Sequence, residues 1–135
     1  MVSTGVGLPM LIEVSPGELI DKLTILEIKL KNIHDTAKLA NIQREYQALS
    51  AVCAAEIDDT PEIRRLRASL KAINERLWVV EDEIRNCERD KDFDARFIAL
   101  ARDIYQRNDQ RTAVKRALSE LLNSTLVEEK CYAAY

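Results

Sequence analysis

The side chains of this 135-residue chain with the most chemical potential gather around Trp78. At helical spacing Asn74 lies four residues before it and Glu81 three after. Asp82 is four after, Lys71 seven before and Arg85 seven after. Glu81 falls about 40° from Leu77 at roughly 100° per residue, nearly on an apolar stripe. A carboxylate there must be paired, because burial of a lone charge is costly. Partners are available further along. Arg102, Tyr105 and Asp109 share one helical face, and Asn108, Arg111 and Lys115 share another. Residues 96–116 carry six basic and two acidic side chains, whereas residues 75–94 carry eight acidic and four basic ones. An antiparallel hairpin would set these blocks side by side. The plain reading is interhelical ion pairing that fixes register, each exposed pair worth about 0–1 kcal/mol. The sharper reading is a polar pocket for an anionic ligand, clamped by Arg and Lys with Trp78 as a wall.

Other chemistries find less support. His34 is the single histidine, and neither Glu-x-x-His nor His-Glu-x-x-His occurs, so no metal site or other cofactor is expected. An imidazolium at the end of a helix, facing the negative end of its dipole, accounts for His34. Cys53, Cys87 and Cys131 are odd in number and far apart, with no histidine at helical spacing. They read as reduced thiols in a cytoplasm, Cys53 and Cys87 as small core residues. Acidic pairs at i, i+3 occur at Glu18/Asp21 and Glu56/Asp59. All-α nucleotide pyrophosphatases hold magnesium between two such pairs on neighbouring helices. Here Trp78 and Ile84 stand where helix 3 would need its acids. A helical dimer binding a dicarboxylate, as in the all-helical chorismate mutases, matches in residue types but in no ordered motif.

Helices must position these groups. All three glycines lie at or before Gly17, and Pro61 is the single proline after Pro16. Primed turns and phosphate-cradling loops need glycine, so sheet, Rossmann and P-loop folds are nearly excluded. A net charge of −3 gives no attraction for nucleic acid. No apolar run approaches the roughly 20 residues that span a bilayer. No Lys or Arg precedes Lys22, so a basic signal-peptide start is not expected.

Ser15-Pro16-Gly17-Glu18 reads as a capping box opening helix 1, whose stripe runs through Leu19, Leu23, Leu26, Leu30 and Ile33. Ile25 and Ile28 form a second apolar face, so helix 1 is sandwiched within the fold or at a subunit contact. Helix 2 starts at Asp35 or Thr36 with the stripe Leu39, Ile42, Tyr46, Leu49 and Cys53. Thr60-Pro61-Glu62 opens helix 3, the most regular segment: Ile63, Leu66, Leu70, Ile73, Leu77, Val80, Ile84 and Cys87 step 3, 4, 3, 4 throughout. Helix 4 follows from about Asp94, with a kink or a new cap expected at Asn108-Asp109. The expected fold is all-α: an up-down antiparallel four-helix bundle over residues 15–135 with a long helix 3–4 hairpin. Residues 1–14 form a flexible or extended N-terminal segment. The long seam needs cover, which a homodimer would supply.

The stretch Ser15-Pro16-Gly17-Glu18-Leu19-Ile20-Asp21-Lys22-Leu23-Thr24-Ile25-Leu26-Glu27-Ile28-Lys29 resembles a family of small bacterial proteins, a domain of unknown function. Leu77-Trp78 with Glu81-Asp82 and Ile84-Arg85, Phe97-Ile98 with Leu100-Ala101-Arg102 and Tyr105, Asn108-Asp109, and the tail Glu128-Glu129-Lys130 with Tyr132 and Tyr135 fit the same pattern. The resemblance implies a setting near surface-glycan assembly and no particular reaction. It singles out Glu27, Glu81, Arg85, Arg102, Asn108 and Asp109. The leading expectation is a cytoplasmic, self-associating helical accessory protein that offers a face to a protein partner. The alternative is a small all-α enzyme or binding module for an anionic metabolite, a phosphosugar or dicarboxylate, built from Glu27, Trp78, Glu81, Arg85, Arg102, Tyr105, Asn108 and Asp109. These side chains must converge on one concavity for the alternative and lie paired or scattered for the first.

Overall fold

The computed structural model of the protein describes residues 9–126 and 128–135. Part of the expected N-terminal segment, residues 1–8, lies outside them. The described residues form four helices and no strand: α1 (Pro16–Asn32), α2 (Thr36–Glu56), α3 (Pro61–Arg89) and α4 (Ala95–Leu121). None is long and apolar enough to cross a membrane. Three starts follow the capping logic. The Ser15, Asp35 and Thr60 side chains accept from the amides of Glu18, Lys38 and Ile63. The capping box is only half formed, because Glu18 pairs with Lys115 of α4 rather than reaching back to its own cap. At the α3–α4 turn Lys91 takes a φ of 55°, within a short polar stretch that both helices leave exposed.

α1 is the hub. It packs on each of the other three helices, α3 and α4 pack on each other, and α2 packs on α1 alone. This explains its two apolar faces: Leu19, Ile20, Leu23, Leu26 and Ile28 are all buried. By contrast α2 has no buried residue. The core is divided along the α3–α4 hairpin. One apolar cluster joins Ile20, Ile63, Leu70 and Leu118, and another joins Val80, Cys87 and Leu100. α4 runs without interruption through Asn108-Asp109. Both residues lie on its exposed side, so their polarity costs no burial and the helix has no reason to break there.

The close approach of α1 to α4 depends on Gly17. Its amide donates to Ser119 Oγ at 3.2 Å, and a Cβ built on it would lie 2.2 Å from the Lys115 carbonyl oxygen. The obstacle is backbone, so one helix would have to move. Gly17→Ala should therefore destabilise the fold by about 3 kcal/mol despite the higher helix propensity of alanine. Urea unfolding should show a lower midpoint at unchanged slope, and a neutral or stabilising result would mean that the helices separate freely at this point.

Candidate functional site

The site is built outward from one buried carboxylate. Asp21 projects from α1, which is apolar on two faces, and it is fully buried. Arg111 of α4 meets it with two parallel bonds, Nε to Oδ1 at 2.9 Å and Nη2 to Oδ2 at 2.6 Å. Asn74 of α3 donates through Nδ2 to Asp21 Oδ1 and to Thr24 Oγ1, both at 2.9 Å. The Thr24 hydroxyl in turn donates to the Asp21 carbonyl at 2.8 Å. Three helices are thus tied through one acid, and no buried side-chain polar atom among the described residues lacks a partner. Hydrogen bonding to Asp21 holds the Arg111 guanidinium above its ordinary value against the opposing effect of burial.

One turn further along α4, the ammonium of Lys115 is nearly buried between Glu18 of α1 and Glu128 of the tail, at 2.8 Å from each. Burial would lower its pKa, but the two carboxylates outweigh that and raise it. Glu128 also binds Lys130 at 2.7 Å, and Glu129 binds Arg116 at 3.0 Å. These pairs strap the C-terminal segment along α4, where Tyr135 meets Tyr105 edge-on at 5.1 Å. Asp109 beside Tyr135 pushes that phenol up. Between strap and helix lies a cavity of about 860 Å³. Its floor is Ile104, Tyr105, Asn108, Arg111 and Thr112, and its far wall is Tyr132 to Tyr135.

Of the expected site residues, Tyr105, Asn108 and Asp109 come together on this cavity. The other five lie elsewhere. Glu27 faces α3, where it binds Arg67 at 2.5 Å and Lys71 at 2.8 Å, with the Tyr46 hydroxyl at 3.4 Å. Burial pushes the Glu27 carboxyl up, but bonds from Lys71 and Arg67 outweigh it and hold the carboxyl below its usual range. Trp78 is half-buried on α3 and lines none of the cavities described here. Glu81 is 44% exposed, and its one ion-pair partner among the described residues is Arg85 of its own helix, at 3.7 Å. It lies on the flank of the seam rather than in it, so the burial expected from its angle is not realised. Arg102 is exposed beside a shallow groove with Arg76, Arg96 and Asp103.

The expected pairing of α3 acids with α4 bases also fails. The α3–α4 ion pair that does form, Arg76 with Asp103 at 2.8 Å, has the reverse polarity. Arg111, Lys115 and Arg116 of α4 turn instead to α1 and to the tail, and Arg107 to Asp103 of its own helix. Sequence reasoning therefore missed Asp21 as the organising acid. The signal was present: a helix apolar on two faces is largely surrounded, and an acid that points inward from it must be paired.

The strap should respond to acid. Hydrogen bonds from Lys115 and Lys130 hold Glu128 at about 2, against 4.5 for a free glutamate. Because the docked value is the lower one, docking gains from Glu128 are complete above pH 4.5 and fade as the pH falls towards about 2. Tyr105 and Tyr135 ring resonances should lose their mutual shift over that interval. Glu128→Gln should weaken the contact already at neutral pH, and unchanged ring shifts in that variant would show that the strap is held by something else.

Among the described residues, no group of three or more His, Cys, Asp or Glu side chains is placed to hold a metal ion. No curated protein and no solved structure gives a significant match to the chain. A family model does match, over residues 10–135, which takes in all four helices and the tyrosine-bearing strap. The chain belongs to DUF6165, a family of unknown function.

Proposed function

We infer that the protein is a self-associating helical interaction module whose occupant is a second copy of the same chain. One observation carries the reading: two apolar surfaces are unfinished at the same end of the molecule. Met10, Leu11, Ile12 and Val14 precede α1 without helix or strand, and Leu11 is 93% exposed. The apolar stripe of α2 contributes no buried residue, and the helix stands clear of α3. The gap is a groove of about 570 Å³ floored by Ile20, Leu23, Cys53, Ile57 and Ile63. It opens beside the α2–α3 turn, the end from which residues 10–14 emerge. Exposed apolar surface of this kind gains free energy in proportion to the area it hides. Exchange of the two segments about a two-fold axis would satisfy both surfaces in both copies and leave no open end.

The scattering of Glu27, Trp78, Glu81, Arg85 and Arg102 supports this reading over a single pocket built from all eight expected residues. The proposal takes the four helices as an up-down antiparallel bundle and the protein as cytoplasmic with reduced thiols. It keeps the surface-glycan setting that the sequence resemblance implies, with a further protein partner bound by the dimer.

Sedimentation tests the reading. The full chain should sediment at twice the mass of one copy at micromolar concentration. Leu11→Asp with Ile12→Asp on the segment, or Ala54→Arg in the groove, should each give the mass of a single copy with helical content intact. A single-copy mass for the unaltered chain, or a dimer indifferent to both variants, would contradict it.

A further inference from the structure

We propose that the cavity between α4 and the C-terminal strap binds a small ring-bearing monocarboxylate, whose carboxylate takes the outward N–H groups of Arg111. This inference is independent of self-association and rests on different residues.

One edge of the Arg111 guanidinium is already engaged. Its Nε and Nη2 are engaged by Asp21, which is itself locked by Asn74. The plane of the group is thereby fixed from behind. Nη1 has no hydrogen-bond or ion-pair partner among the described residues, and the side chain, 28% exposed, lines the cavity. A guanidinium carries five N–H donors in a rigid fork, so a second edge remains for a planar acceptor. Holding it in place beforehand removes the ordering cost that a free surface arginine would meet on binding. Asn108 and Thr112 stand on the same side of α4, one turn before and one residue after Arg111, and both line the cavity.

Charge decides which anion fits. Lys115 and Lys130 also line the cavity, but their ammonium groups are matched by Glu18 and Glu128. Asp109 adds a further carboxylate to the wall, and Asp21 lies behind Arg111. Four carboxylates thus face three cations, so what the site offers an anion is one directed donor edge and not a positive field. A carboxylate adds one charge and matches the planar donor edge of Arg111, whereas a phosphate dianion would add two charges beside Asp109 and Glu128 and fit that edge no better. The remaining surface selects the body of the ligand. Ile104 and the rings of Tyr105 and Tyr132 present apolar and π faces suited to a flat ring. A cavity of about 860 Å³ is large enough for such a molecule.

Calorimetric titration of the full chain with phenylacetate, phenylacetamide and phenyl phosphate tests the assignment. Phenylacetate should bind at least about tenfold more tightly than the amide, which keeps the ring and loses the charge. It should also bind more tightly than phenyl phosphate. Arg111→Lys should lose at least about tenfold in affinity. Because that change also disturbs Asp21, Tyr132→Ala on the exposed strap serves as a second variant, with unaltered urea midpoint and about three- to tenfold weaker phenylacetate binding. Absence of phenylacetate binding at millimolar concentration overturns the proposal. So do equal affinities for acid and amide, preference for the phosphate ester, or an unchanged affinity in Tyr132→Ala.

Discussion

The fold depends on one buried ion pair and the amide that completes it. Asp21 takes up the guanidinium of Arg111 and the side chain of Asn74, so that α1, α4 and α3 meet at a single carboxylate. An unpaired acid at this depth would be too costly to keep, so the three helices can pack only where all three partners coincide. That requirement matters because the apolar pattern is uniform. The α3 seam repeats without a break from Ile63 to Cys87 and would tolerate slippage by a heptad on hydrophobic grounds alone. The polar node lies between the two apolar clusters. Asn74 falls between Leu70 and Val80, and Arg111 falls between Leu100 and Leu118. It marks one register among several of similar apolar burial, much as a single buried polar residue does in a coiled coil.

The same node organises the surface. Because α1 supplies the acids, Arg111 and Lys115 of α4 face α1 and Arg116 faces the tail, while Arg67 and Lys71 of α3 face Glu27. The strap is a consequence, since Lys115 bridges Glu18 and Glu128. One cavity therefore inherits a guanidinium that is held rigidly from inside and open on its outer edge. At the opposite side of α1, α2 is held by one helix only and leaves an apolar groove. Structural order radiates from α1, and the strap cavity and the α2 groove lie where that order runs out.

Helix boundaries were legible because their signals are local. Ser15-Pro16, Asp35 and Thr60-Pro61 carry their own capping chemistry, and the 3–4 spacing of leucine and isoleucine is read without knowledge of the neighbours. The site was only partly legible. Tyr105, Asn108 and Asp109 fall on one cavity because they share one helix, where spacing decides proximity. Pairing between helices depends on rotation and on which neighbour lies closest, and a single helix does not encode either. Glu81 sits near the α3 seam in angle, yet its carboxylate reaches solvent along the flank. Asp21 is hard to read as an organiser because its spacing from Glu18 suggests an acidic pair, whereas what sets it apart is that it alone of the α1 acids is fully buried. Gly17 reads locally as part of a cap, although what demands it is the Lys115 carbonyl 98 residues away in sequence.

The most direct test of the account is a double-mutant cycle on Asp21 and Arg111 by urea unfolding. If the pair sets the packing of three helices, Asp21→Ala and Arg111→Ala should each cost about 3–5 kcal/mol, because each leaves the other's charge buried. The double variant should then recover a coupling of about 1.5–3 kcal/mol. Single costs below about 1 kcal/mol, or costs that add within about 0.5 kcal/mol, would mean that the helices find their register without this pair.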